Sequence, residues 1–274
     1  MKISVITVCR NSEATIGYAL ASFFAQAHAD KELIIVDGAS TDGTLDVVRS
    51  FPSEGVTVIS EPDRGLYDAM NKGLAAFTGD AVGFLNSDDR FADAHALSNL
   101  AGALAEADIV FGDLDFVASH EPRRVVRRWR TGPYVRGSFR SGWMPAHPTF
   151  YCRRGVVETV GRFDLRYRTA ADYDYMLRCL ELTSFTTASV EPVLVDMLHG
   201  GKSSSGLAAS IHHNLEALDA RRRWVGAGAI DYAFFAKPLR KLGQFVRGGR
   251  GRASMTDARP RIANSQQRDM VSHD

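Results

Sequence analysis

Cysteine is scarce in this chain. Its 274 residues hold three, Cys9, Cys152 and Cys179, and no two form a Cys-x-x-Cys pair. An odd number at these spacings argues against a disulfide framework and against a thiolate zinc site. Such use fits a reducing cytoplasm, and Cys9 and Cys179, set among apolar neighbours, read as small core residues. Long apolar runs are also missing, and nothing approaches the roughly 20 residues that a bilayer span needs. The N-terminal run over residues 2–9 is cut short by Arg10-Asn11-Ser12-Glu13, so it reads as a strand rather than a signal-peptide core. Charge of one sign is not in excess. The formal net charge is +1, which gives no reason to expect a nucleic-acid partner. The phosphate-binding patterns GxGxxG and GxxxxGK[ST] do not occur, which argues against a dinucleotide dehydrogenase or a P-loop NTPase.

What is present is a soluble-type composition, 45% hydrophobic and 24% charged. Strand-like and helix-like segments alternate through the first half. Strands are expected over 2–9, 32–36, 56–60, 81–85 and 109–112. Between them, Ile16, Ala19, Leu20, Phe23 and Ala27 share one helical face, and Leu66, Met70, Leu74 and Phe77 share another. Ser12 is placed to cap the first helix and Asp42 a second. Another helix is expected over 94–105. This alternation predicts an α/β fold with a mostly parallel sheet covered by helices on both faces. From residue 113 the pattern is mixed, with a ribbon near 125–130, a helix over 172–182 and a strand over 193–198. The first 200 residues contain no linker, so one large domain is expected.

Polar clusters follow three of the strands, at Arg10-Asn11, at Asp37 to Asp42 and at Asn86-Ser87-Asp88-Asp89. In an open α/β sheet, ligands bind beyond the carboxyl ends of the strands, so the three clusters should share one edge. Asp37 is placed to accept a hydrogen bond from a base or a ribose, or simply to hold a turn. Adjacent acids such as Asp88 and Asp89 repel unless a cation or hydrogen bonds compensate. Carboxylates suit Mg²⁺ or Mn²⁺, and Asp89 can alternatively cap the following helix, leaving Asp88 for the metal. Asp172 is a candidate base or an N-cap, and Asp174, two residues on, points elsewhere on a helix. His147 lies in a loop between Pro145 and Pro148 and is either a ligand contact or a structural residue. His199, ahead of Gly200-Gly201-Lys202-Ser203, is a candidate for a diphosphate-binding turn together with Lys202.

These pieces, taken in order, resemble the family 2 glycosyltransferases of GT-A (Rossmann-like) fold. The matching motifs are Val5-Ile6-Thr7-Val8-Cys9-Arg10-Asn11, Ile35-Val36-Asp37-Gly38-Ala39-Ser40-Thr41-Asp42-Gly43-Thr44 and Gly83-Phe84-Leu85-Asn86-Ser87-Asp88-Asp89. To these are added Glu61-Pro62-Asp63-Arg64-Gly65-Leu66-Tyr67-Asp68-Ala69-Met70-Asn71-Lys72-Gly73 and Ala171-Asp172-Tyr173-Asp174. The likeness runs over about residues 1–205 and is nearest to bacterial exopolysaccharide and colanic-acid-type transferases. It implies inverting transfer of a sugar from a nucleotide-diphosphate sugar, with UDP preferred, to a glycan or lipid-linked acceptor. It also implies Asp37 at the base and Thr7 and Arg10 in the nucleotide pocket. Arg64, Asp68 and Asn71 would shape the donor site, and Asp172 would be the catalytic base. Asp88 would be the ligand of Mg²⁺ or Mn²⁺, with Ser87 beside it and Asn86 at the first position of the family's DxD. Many members carry Asp where Asn86 stands, so one negative charge is missing. The rivals are a sugar-nucleotide pyrophosphorylase, whose glycine-rich loop is lacking, and an inactive sugar-nucleotide-binding subunit.

The remainder divides into a helical extension over 206–249 and a polar tail over 250–274, expected to be disordered. Residues 221–252 hold Arg221, Arg222, Arg223, Lys237, Arg240, Lys241, Arg247, Arg250 and Arg252 against the single acid Asp231. Tyr232, Phe235, Leu239, Leu242 and Val246 fall at helical spacing among them. Such a stretch fits either a peripheral element on an anionic cytoplasmic membrane surface or a helix packed on the main domain.

Overall fold

A computed structural model describes residues 1–200 and 207–226. Lys202, most of the basic extension and the 250–274 tail lie outside the described residues. The first half alternates as predicted, with β1 (Ile3–Cys9), α1 (Ile16–Phe24), β2 (Lys31–Asp37), α2 (Thr44–Arg49), β3 (Val56–Ser60), α3 (Leu66–Ala76) and β4 (Ala81–Phe84). After β4 come β5 (Arg90–Phe91), α4 (Ala96–Leu104), β6 (Ile109–Val117), β7 (Val125–Trp129) and β8 (Tyr151–Arg153). The chain continues through α5 (Arg154–Val160), α6 (Ala171–Glu181), β9 (Thr187–Leu198) and α7 (Leu207–Val225).

The strands form one sheet in the order β3-β2-β1-β4-β8-β6-β9-β5, with β7 added alongside β6. The first four strands are parallel, and β8 runs antiparallel to both β4 and β6. Alternation along β1 explains the layering. Ile6 and Val8 point into a core shared with α3 and α6, whereas Ile3, Val5 and Cys9 point into a second core with α1 and α4. The Tyr151 ring packs directly on the backbone of Gly83 of β4, in the space an added Cβ would need. All three cysteines are free and buried. Burial pushes the Cys9 and Cys152 thiols up to about 12, and the charge of Asp37 adds to the effect at Cys9.

Several local expectations change. Ser12 does not cap α1; its carbonyl accepts from Thr15 and Ile16 in a turn that delays the helix. Asp42 does hold the start of α2, accepting the Thr44 N–H at 3.1 Å. Strand β6 runs on to Val117 rather than stopping at Gly112. The reason is that Asp113 and Asp115, which read as strand breakers, are neutralised by Arg130 and Arg123. Asp89 is not the cap of α4, which begins at Ala96 after His95. Helix α7 packs against α6 and buries Ala217 and Ala220 in the α3/α6 core. Its Arg221, from the basic stretch read as either a membrane-facing element or a helix packed on the main domain, is only 1% exposed and donates to the Tyr173 hydroxyl at 2.9 Å, as the second reading requires at this residue. Among the described residues, no helix is long and apolar enough to cross a membrane.

Candidate functional site

The ends of β1, β2 and β4 are side by side, because β1 pairs with both of the others. Asp37 closes β2 opposite Cys9. It is fully buried and accepts hydrogen bonds from the Ser40 N–H at 3.1 Å, the Ser60 hydroxyl at 2.7 Å and the Ser40 hydroxyl. Burial works against its charge, but these bonds outweigh burial and hold the carboxyl below its usual range. Beside it, Gly38 leaves room for the Asp63 carboxylate and the Arg10 side chain, both of which a Cβ would crowd. The exposed Arg10 thus stands next to Asp37 at the strand ends. Thr7 does not. It is fully buried, because it lies on the β1 face covered by α1, together with Val5 and Cys9. Its hydroxyl is buried inside the sheet layer and is not exposed at the strand ends.

The loop after β4 is tied to the loop after β1 by the Ser87 hydroxyl, which donates to the Ser12 hydroxyl at 3.1 Å. Ser87 is buried and therefore holds the two loops together. Asn86 donates its amide to Asp89 at 2.8 Å, and the Leu198 N–H donates to the other oxygen of Asp89 at 3.2 Å. Burial, and then the charge of Asp88, push the Asp89 carboxyl up to about 8. Asp88 keeps a half-buried side chain, and its carbonyl accepts from His120 at 2.9 Å. His199 follows Leu198, so β9 brings it to this corner, where its ring lies edge-on to Phe116. Among the described residues no three His, Cys, Asp or Glu side chains form a ready cation cluster. Asp89 is buried and held by Asn86 and Leu198, whereas Asp88 is the acid of this loop with a half-buried side chain. One carboxylate plus the phosphate oxygens of a bound nucleotide is a donor set that suits Mg²⁺ or Mn²⁺.

The third acid comes from the second half of the chain. Asp172 stands in the first turn of α6 and accepts a hydrogen bond of 3.0 Å from the Tyr67 hydroxyl. Burial, and then the charge of Asp172, push the Tyr67 phenol well above its usual value, so it stays a donor. Asp174 is fully buried and is held by Arg178 and Trp224, both at 2.8 Å. Of the two acids, only Asp172 is left partly open. His147 is buried, stacks on Phe84 of β4, and has no partner for its Nε2. Burial holds its imidazole below the ordinary value, against the pull of Asp172.

A cavity of about 410 Å³ opens beside this pair, lined by Arg64, Leu66, Tyr67, Asp68, Tyr167 and Arg168. Arg64 pairs with Asp68 at 3.0 Å, and Asp68 also accepts the Arg64 N–H, closing the start of α3. Asn71 has a different task from the predicted one. Its amide makes two hydrogen bonds, of 3.0 and 2.9 Å, to the backbone of Phe163, so it pins that loop. Tyr67 lay inside a recognised motif without a role, because nothing in sequence spacing links it to Asp172.

A family model, glycosyl transferase family 2, matches residues 4–159. The chain belongs to glycosyl transferase family 2. Among curated members it is 34% identical over 197 residues to a PGL/p-HBAD biosynthesis glycosyltransferase of Mycobacterium tuberculosis, covering 70% of this chain and 74% of that protein. It is 27% identical over 241 residues to an uncharacterized glycosyltransferase of the same species, covering 85% and 89%. The fold is that of Staphylococcus aureus TarS 1–349, solved in complex with UDP-GlcNAc, with a TM-score of 0.62 and 19% identity. That match covers 91% of this chain and 74% of TarS 1–349. It is also that of the mannosyltransferase PcManGT from Pyrobaculum calidifontis, solved with GDP-Man and Mn²⁺, at a TM-score of 0.60 and 19% identity, covering 90% and 70%. The GT-A architecture read from the sequence is thus the architecture found, and the family's reaction is sugar transfer from a nucleotide sugar.

Proposed function

We propose that this family 2 transferase carries out a single inverting displacement in which Asp172 is the general base. The observation that carries the reading is the hydrogen bond of Tyr67 to Asp172, with Tyr67 itself lining a cavity between α3 and the 165–168 loop. A partly open carboxylate, oriented by a phenol that stays protonated, can take the proton of an acceptor hydroxyl. The deprotonating oxygen then attacks the anomeric carbon on the face opposite the nucleotide. Asp37, Gly38 and Arg10 form the nucleotide end of the site. Asp88 would hold Mg²⁺ or Mn²⁺, which supplies charge neutralisation at the leaving diphosphate. His199 adds a neighbouring polar group at the same corner.

The acceptor is read as a glycan or a lipid-linked molecule, entering by the cavity between Arg64 and Arg168. The exposed Leu66 and Leu165, at 44% and 40%, give that mouth apolar lips. A role in biosynthesis of a larger glycosylated product is favoured by the relative of Mycobacterium tuberculosis, a PGL/p-HBAD biosynthesis glycosyltransferase. A place in bacterial polysaccharide or glycolipid assembly, at the inner face of the membrane, fits the basic stretch over 222–252. Liposome sedimentation of full-length protein against a truncation at Gly228 tests that last point, and equal partitioning removes it.

A thermal-shift panel of UDP, GDP and their sugars, with and without Mn²⁺, identifies the donor. Asp172→Asn is expected to lose transfer by at least about a hundredfold while UDP still binds. Full transfer by that variant would sink the assignment of the base.

A further inference from the structure

Helix α7 lies beyond the part of the chain that the family model matches, yet it holds the segment that leads into the base helix. Residues 168–170 form the approach to α6, and their backbone polar groups are taken up by α7. Glu216 Oε1 accepts the Arg168 N–H at 2.9 Å. Glu216 Oε2 accepts the Thr169 N–H at 2.8 Å, the Thr169 hydroxyl at 2.9 Å and the Ala170 N–H at 2.9 Å. His213 Nδ1 donates to the Thr169 carbonyl at 2.8 Å. Two further contacts frame these: Tyr167 donates to Asp219 at 2.8 Å, and Trp224 donates to Asp174 at 2.8 Å.

The first N–H groups of a helix have no partner inside it, and a negative charge there is favourable. α6 has no side-chain cap of its own, since Ala170 stands at the N-cap position. Glu216 places a carboxylate at this N-terminus from another helix, accepting the N–H of Ala170 at the N-cap position and those of Arg168 and Thr169 just ahead of it, two residues before Asp172. Its carboxylate is also close enough for its charge, like that of Asp172, to act on Tyr67. The two ends of the base are therefore fixed by different parts of the molecule: the carboxylate by Tyr67 of α3, the backbone beneath it by Glu216 of α7.

We infer that Glu216 is a positioning residue for the base and that α7 is a working part of the transferase site, not an appendage to it. The inference rests on the reading of Asp172 as the base. A rigid strut matters here because a shift of about 1 Å in a reacting group can cost on the order of a hundredfold in rate. Without Glu216, three backbone donors and one hydroxyl at the foot of the base lose their acceptor together, and the first turn of α6 is free to re-form around water.

The test compares Glu216→Gln and Glu216→Ala with Trp224→Phe, which loosens α7 at its far end, in the full-length chain. Initial rates are measured with the sugar nucleotide found by the thermal-shift panel, together with UDP affinity and melting temperature. Glu216→Gln, which keeps one acceptor oxygen, is expected to lower kcat about tenfold, and Glu216→Ala more. The donor KM and UDP affinity of both should stay within about twofold of the parent. Trp224→Phe is expected to lower the melting temperature with kcat unchanged. If Glu216→Gln keeps its kcat while Asp172→Asn is inactive, the positioning role is wrong and the base assignment stands. If kcat falls in proportion to melting temperature across all three variants, Glu216 is structural only. If Asp172→Asn is itself fully active, the base reading fails first and takes this inference with it. Should Glu216→Ala not fold, the isosteric Gln variant decides.

Discussion

Tyr67 and Asp172, 105 residues apart in sequence, meet through one hydrogen bond of 3.0 Å that joins α3 to the first turn of α6. The bond engages Oδ1 of Asp172, and in the proposed reaction the second carboxylate oxygen would take the proton of the acceptor. Tyr67→Phe removes the bond and keeps the ring, which packs on Phe163. The expected result is a fall in kcat of about tenfold, equivalent to ~1.4 kcal/mol of barrier, with UDP affinity unchanged. Initial rates together with UDP titration check it; an unchanged kcat would mean that Tyr67 has no hold on the base.

Acid stability should depend on Glu32. It bridges β2 to the chain before β4, taking bonds from Lys2, the Ser4 hydroxyl and the Thr78 hydroxyl and N–H. Burial opposes its charge, but these donors outweigh burial and bring its carboxyl down to about 2 from an ordinary 4.5. A depressed carboxyl stabilises the fold above its unfolded value and loses that contribution as pH falls through its folded value. The parent should therefore lose stability between pH 4.5 and about 2, and Glu32→Gln should lack that part of the slope. Urea midpoints at pH 7, 4 and 3 for both proteins read it directly, and parallel curves would refute it.

Arg123 bridges Asp196 of β9 and Asp115 of β6 at 2.7 and 3.0 Å, and both acids are buried. Removing one partner of a buried pair strands the other charge. Arg123→Met is expected to cost about 3 kcal/mol, at the low end for such losses, because Arg90 and Arg130 still reach the same acids. Denaturant unfolding measures it; a loss under about 1 kcal/mol would show that the remaining arginines suffice.

Gly83 faces the Tyr151 ring, which is fully buried and has no space to swing into. Gly83→Ala is expected to destabilise by about 1–3 kcal/mol through overpacking. Adding Tyr151→Leu to that variant should recover part of the loss. A double variant no more stable than the single one would place the strain elsewhere.

Much of this architecture was legible in the sequence because the first half is made of buried parallel strands and one-sided helices, and each has a local periodic signature. The acids at strand ends were legible for the same reason, since a strand that stops at Asp37 or Phe84 must present its next few residues at one edge. The hidden features depend on contacts across long stretches of chain. Nothing near Thr7 tells which face of β1 it occupies, and nothing near Asn71 announces Phe163 as its partner. Asp113 and Asp115 look like the end of a strand until Arg123 and Arg130 come back to meet them. Glu216 was invisible as a functional candidate because three of its partners are backbone N–H groups, which almost every residue possesses.

The family model stops at residue 159, ahead of Asp172 and of the helix that braces it. A chimera that exchanges everything after that point would keep one molecule's grip on the leaving group and import another's way of activating the incoming alcohol. The two inheritances would have to agree at a single phenol, so Tyr67 is the position a breeder of new specificities must hold constant, and Val225 marks how far the imported piece has to extend.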